Sequence, residues 1–301
     1  MIVTALLSLE SASTLDDAVQ AAGALEAAGV AALAVLDAAD TDEVATFEST
    51  TLAAHLAMTT DSIGVLGANS ALYGFPYHAA RRLSTLDHLA NGRAGWLLRA
   101  ATGAEEEAGY DWRSTLGRAE ELHRASEYAE IALELWDSWE DGAQWPDAAS
   151  GDYKDDARIH PIDYRSTAFR VAGPLDVPPS PARRPVLFGR IATPEEAAML
   201  APLLDVAIVV ARDRSEAQAL VAACGAASAV LLAVAIEHVS EATPLIVADL
   251  GIDGVALTGS LSAAAQIAAA ALDLGAERPE ADTLAEALGI DGRISYGGRA
   301  A

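Results

Sequence analysis

Short, nearly continuous apolar runs recur along the chain, separated by longer stretches in which apolar residues return every third or fourth position. Residues 2–9, 30–36, 62–68, 94–101, 186–188, 206–210, 229–236 and 254–257 read as strands. They are dominated by Val, Ile, Leu and Ala, the pattern of parallel strands buried on both faces. Thr14 or Ser13 caps a first helix, and Asp16 and Asp17 suit the positive end of its dipole. That helix ends near Gly29, and a second covers 44–58. Residues 118–139 predict a long amphipathic helix with Leu122, Ala125, Ala129, Ala132 and Trp136 on one stripe. Further helices start at Pro194, Ser215 and Ser262, whereas 142–181, rich in Asp, Pro and Gly, reads as irregular. Eight strands with intervening helices predict an α/β chain folded as a (β/α)8 TIM barrel. Residues 1–281 would form this single domain, and 282–301 a C-terminal tail with a small helix and a flexible Gly-Gly-Arg end.

Composition narrows the function classes. At 52% apolar residues, the 301-residue chain can bury one large core. A net charge of −25 would repel nucleic-acid phosphates and acidic membranes, so neither is an expected partner. The longest apolar stretch, near 230–236, is too short to cross a bilayer. The first residues lack a basic leader and Cys224 stands alone, so a secretory signal and a disulfide framework are not expected, and a cytoplasmic setting is. Abundant alanine and a single lysine, Lys154, point to genomic base composition rather than salt adaptation.

The run Pro76-Tyr77-His78-Ala79-Ala80-Arg81-Arg82-Leu83-Ser84-Thr85-Leu86-Asp87-His88-Leu89-Ala90-Asn91-Gly92-Arg93-Ala94-Gly95-Trp96 carries more information than any other. It resembles a block of the bacterial luciferase-like flavin monooxygenases, in the branch with nitrilotriacetate and dibenzothiophene-sulfone monooxygenases. Further matches follow in the family's order. They are Leu36-Asp37, Trp136-Asp137-Ser138-Trp139-Glu140, Gly151-Asp152-Tyr153, the runs 158–164 and 169–175, Pro178, Ser180-Pro181 and Arg184-Pro185-Val186. Beyond Val210 the resemblance thins, and the longer helical insertion usual in this branch is not expected. Residues 243–255 read as an abbreviated return to the last strand.

The resemblance implies a site for flavin mononucleotide at the C-terminal mouth of the barrel. It places Asp37 at the ring edge, Ser70 toward the flavin, and Thr193 as a hydroxyl donor in the phosphate loop. Each has an alternative reading: Asp37 ends a strand, Ser70 lines a loop, and Thr193 caps the helix at Pro194. Other positions depart from the family. Leu97 stands where Asn is usual, Ala100-Ala101 where Thr-Ser is usual, Arg118 for His and Leu122 for Tyr. The phosphate loop, usually Ala-Gly-x-Ser-x-x-Gly, reads Arg190-Ile191-Ala192-Thr193-Pro194-Glu195-Glu196, so Ile191 and Glu196 replace both glycines. Glu195 and Glu196 would repel a dianion, or serve as first-turn acids of a helix that has no ligand. Arg118 and Arg190 offer bidentate donors that offset the repulsion.

Three functional expectations follow. The first is a monooxygenase that oxygenates a small organic substrate with O2 and reduced FMN supplied by a separate flavin reductase. The second is a non-catalytic barrel that has lost flavin, partnering a related chain as homodimer or heterodimer. The third keeps the enzyme but uses a deazaflavin, and requires Arg99, Arg118 and Arg190 to converge on one pocket. Elsewhere the bland readings lead. Arg81 is expected to pair with Asp87 or a neighbouring subunit, His55 and His123 to have ordinary partners, and Asp152, Asp155 and Asp156 to form a solvated turn without metal.

Overall fold

The computed structural model describes residues 1–36, 46–100, 116–146, 148–239, 243–277 and 280–290. Its centre is a closed barrel of eight parallel strands. In chain order these are β1 (Ile2–Ser8), β2 (Ala32–Leu36), β3 (Gly64–Ser70), β4 (Ala94–Arg99), β7 (Val186–Ile191), β8 (Val206–Val209), β9 (Ala229–Ala235) and β10 (Gly254–Ser260). Each pairs with its sequential neighbour in the barrel, and β10 closes on β1. The closing register sets Ile2 beside Gly254 and Ser8 beside Ser260. The short β5 (Tyr164–Arg165) and β6 (Arg170–Val171) form an antiparallel pair within the stretch expected as irregular.

The helices are α1 (Leu15–Ala27), α2 (Ser49–Ala57), α3 (Pro76–Leu89), α4 (Arg118–Trp136), α5 (Pro194–Leu200), α6 (Arg214–Ala223), α7 (Thr243–Leu250), α8 (Ala264–Asp273) and α9 (Leu284–Ala287). Local chemistry explains their starts. At α1 the Thr14 hydroxyl accepts from the Asp17 N–H while the Asp17 carboxylate accepts from the Thr14 N–H, a reciprocal cap. The second helix begins later than its apolar pattern predicts, with Glu48 as cap. Its buried Ser49 hydroxyl donates to the Val35 carbonyl at 2.7 Å and accepts from the Ala68 N–H, pinning α2 across β2 and β3. The expected abbreviated return contains α7. No helix among the described residues is long and apolar enough to cross a membrane.

Alternation along the strands divides the core in two. Leu33, Val35, Val65, Trp96, Leu98 and Leu187 face outward into a shell against the helices. Leu6, Ala34, Leu66, Leu97, Phe188, Ile208, Leu231 and Ala256 fill the lumen. Gly95 permits this filling, because a Cβ there would collide with Leu66 Cδ2 and lie 3.0 Å from the Phe188 ring. The matched sequence block is structural. Trp96 packs near Tyr128 and Trp136, Tyr128 meets Phe169 edge-on, and the Trp136 Nε1–H donates to the Ala80 carbonyl. Arg81 pairs with Asp176 at 3.1 Å rather than with Asp87. Asp87, fully buried, instead accepts from the backbone N–H groups of Ala94 and Ala182. Its carboxylate therefore splices two chain segments that an unpaired strand start would leave open.

The stretch expected as a tail is, as far as residue 290, part of the barrel floor. Leu284, Ala285, Leu288 and Ile290 are buried with Ala32, Val186, Val206 and Ala229 at the N-terminal end of the lumen. The Leu284 N–H donates to the Gly92 carbonyl, and the Leu284 side chain fills the space that a Cβ at Gly64 would need. Leu284→Ala is expected to cost about 2–5 kcal/mol, read as a lower urea midpoint. A loss under about 0.5 kcal/mol would mean the segment is a surface appendage.

At the same end, Glu26 accepts from the Asp61, Ser62 and Ile63 N–H groups and the Ser62 hydroxyl. Burial raises its carboxyl, but the N–H groups of Ser62 and Ile63, the Ser62 hydroxyl and the Asp61 N–H together hold it below the ordinary carboxylate value. Folding therefore favours the ionised form. That stabilisation is full above the ordinary value and fades as pH falls through the lowered one. Glu26→Gln is expected to cost about 1–3 kcal/mol near pH 7 and markedly less near pH 3, measured by urea unfolding at both.

Candidate active site

Strand alternation also decides what surrounds the barrel mouth. Continuing the inward face of each strand past the apolar layers brings Ser8, Leu36, Ser70, Arg99, Arg190 and Ser260 to the C-terminal end of the lumen. Ser70 and Arg99 are register partners on β3 and β4. One step earlier Leu98 is beside Gly189, so Arg99 and Arg190 share the next level of the barrel wall. Arg99 is 6% exposed, whereas Arg190 opens to solvent at the mouth. Neither guanidinium is without a partner in the chain. The Ser70 hydroxyl accepts from the Leu72 N–H at 3.2 Å, so it shapes the turn after β3 while keeping its own proton to donate.

A second cluster lies where β7 turns into α5. Thr193 caps that helix, its hydroxyl accepting from the Glu196 N–H at 3.2 Å. Glu196 reaches back, and its Oε2 accepts from the Ala192 N–H at 2.6 Å and the Thr193 N–H at 3.1 Å. Its other oxygen accepts from Arg118 Nη2. Arg118 Nη1 donates to the Ala100 carbonyl at 3.0 Å and to Glu121 at 3.2 Å. Glu196 is only 8% exposed, and Glu195 points to solvent. The carboxylate expected to repel an anion thus plays the anion's part itself.

The residues expected at the site fall into separate places. Asp37 and Ala101 lie outside the described residues. Ser70 and Arg190 face the mouth; Arg118 and Thr193 belong to the Glu196 cluster. Arg99 and Arg190 adjoin in the barrel wall, and Arg118, engaged by two carboxylates, donates to the Ala100 carbonyl that follows Arg99. Leu97, where a polar residue is usual, is fully buried against the lumen cluster, and Leu122 is buried in the outer shell. Sequence reasoning missed Ser8 and Ser260, because lumen-facing polar residues at strand ends are visible only once strand parity is known. Of the two readings offered for Glu196, the first-turn acid of a helix is the one found, in the form of a capping box with Thr193.

Other chemical groups are accounted for structurally. Cys224 is fully buried, and burial pushes its thiol up to about 11, far from a nucleophile's range. His160 meets Glu140 at 2.6 Å, and Lys154 pairs with Asp156 in an exposed turn. Among the described residues, no group of three or more His, Cys, Asp or Glu is placed to hold a metal ion.

With this geometry in place, a family model for luciferase-like monooxygenases matches residues 3–250. The chain belongs to that family. It is 37% identical over 140 residues to nitrilotriacetate monooxygenase component A of Aminobacter aminovorans, a stretch covering 46% of this chain and 31% of that protein. It is 36% identical over 187 residues to one of the subunits of pristinamycin IIA synthase from Streptomyces pristinaespiralis, covering 62% of each. The chain therefore matches less than two thirds of the length of either relative. Its fold is that of a riboflavin lyase solved with modified FMN and the substrate riboflavin, with a TM-score of 0.79 at 18% identity over 99% of both chains.

The Glu196–Arg118 pair joins the starts of α4 and α5 at the rim of this family barrel. A double-mutant cycle with Arg118→Ala and Glu196→Ala is expected to give a coupling of about 1 kcal/mol in urea unfolding, because Arg118 is partly exposed and Glu196 keeps two backbone donors. Additive single effects would show that the pair contributes nothing to stability.

Proposed function

We propose that the chain is a flavin-dependent monooxygenase that oxygenates a small organic substrate with O2, using flavin reduced by a separate protein. The observation that carries this reading is the group Ser8, Ser70, Arg99, Arg190 and Ser260 at the mouth of a lumen filled mainly with apolar side chains, with the buried Thr4 hydroxyl among them. Polar donors held at the end of a rigid apolar barrel suit a ligand with a polar edge and a broad apolar face. Arg190 opens to the mouth, where it can meet flavin ring oxygens or an acidic substrate. Membership of a monooxygenase family supports catalysis over a non-catalytic barrel. The FMN in the riboflavin lyase structure supports flavin as the cofactor class.

The phosphate end of FMN does not fit the β7–α5 turn as it stands. The turn's two backbone donors and Arg118 already hold Glu196. The chain's own contribution is thus confined to the mouth: donors at the ring's polar edge, a mainly apolar lumen beneath, and a cationic side chain at the opening. A supplying reductase and association with a second or related chain are proposed from two relatives, one named as a monooxygenase component and the other as a synthase subunit. When bound, the flavin would supply the oxygen-activating chemistry.

The test pairs the purified protein with an unrelated NADH-dependent flavin reductase and a panel of small sulfur, amine and alkyl substrates. The expected result is a product heavier by one oxygen atom, formed only when the chain is present. Arg190→Ala is expected to lower its rate by about tenfold or more with an unchanged melting temperature. Oxygen uptake no greater than that of the reductase alone, together with no flavin fluorescence change at millimolar flavin, would overturn the reading.

A further inference from the structure

We infer that Glu196 is a specificity-determining residue that makes this barrel indifferent to the flavin's 5′-phosphate, so that riboflavin is bound as well as FMN. The inference rests on the flavin reading of the mouth and adds which flavin the site accepts.

Both Glu196 oxygens are committed. One accepts from the Ala192 and Thr193 N–H groups, and the other from Arg118. The Thr193 hydroxyl is engaged with the Glu196 N–H, and the second Arg118 nitrogen with the Ala100 carbonyl and Glu121. A phosphate arriving at this turn would find the Ala192, Thr193 and Glu196 N–H groups and both terminal nitrogens of Arg118 already in use. It would also meet the wrong charge. Arg118 supplies one positive charge against the two carboxylates of Glu121 and Glu196, so the cluster is already net negative. Glu196 is 8% exposed, and moving its carboxylate aside would strand two backbone N–H groups and leave a guanidinium half-used. The chain has built an anion's cradle and filled it from within.

Arg99 and Arg190 lie on the lumen side of the wall, on β4 and β7, and not in this turn. Their place is beside the ring and the substrate. A site of this kind reads the flavin by its ring, which FMN and riboflavin share, and gives the phosphate no added grip.

The experiment titrates the full chain and Glu196→Ala with FMN and with riboflavin, by quenching of flavin fluorescence and by calorimetry, with circular dichroism confirming that the variant is folded. For the unmodified protein the two dissociation constants should agree within about threefold, and Glu196→Ala should tighten FMN by about tenfold or more while leaving riboflavin unchanged. Unmodified protein that binds FMN more than about tenfold tighter than riboflavin would overturn the inference without recourse to any variant. If neither flavin binds the unmodified protein, the flavin reading of the mouth fails and this inference falls with it, whereas riboflavin binding with no gain of FMN affinity in Glu196→Ala overturns the inference alone.

Discussion

Closure of the barrel is the constraint from which the rest follows. Once β10 pairs with β1 in parallel, with Ile2 beside Gly254 and Ser8 beside Ser260, the parity of every strand is set around the ring. A residue that faces inward on one strand has inward-facing neighbours on both sides. The lumen must then be filled, and Leu6, Leu66, Leu97, Phe188, Ile208 and Leu231 fill it. What remains at the C-terminal end, two arginines among serines, is a consequence of that parity. Slipping β7 by one residue would bury Arg190 in the outer shell and put Ile191 in the mouth.

The rim obeys a different logic. At the β7–α5 turn a helix start needs acceptors for its first N–H groups, and a ligand anion or a side chain can provide them. Glu196 provides them here, with Arg118 balancing its charge. A side-chain cap and an anion would use the same donors, and in this chain the side chain holds them.

This competition explains what was legible in the sequence. All eight strands could be read from apolar runs, because a strand buried on both faces leaves a local signature. The family block was legible too, and it serves packing: its Trp96 forms one aromatic cluster with Tyr128 and Trp136 of α4, against α3. Partners across the fold were not legible. Arg81 has Asp87 nearby in sequence but Asp176 nearby in space. Glu196 could be read as a repelling charge or as a first-turn acid, and only the fold shows Arg118, 78 residues away, bonded to it. The sign of an electrostatic effect depends on the partner, and the partner is set by topology.

The floor of the barrel adds a consequence for synthesis. The residues that seal it, Leu284, Leu288 and Ile290, follow the last strand in the chain. A ribosome therefore releases all eight strands before it releases the plug. The nascent barrel has its strands in hand while Ala32, Val186 and Val206 still face an unsealed opening. Such an intermediate exposes an apolar ring at one end, the kind of surface on which chaperones act and aggregation begins. The mouth is completed by the strands themselves; the floor waits for the ribosome.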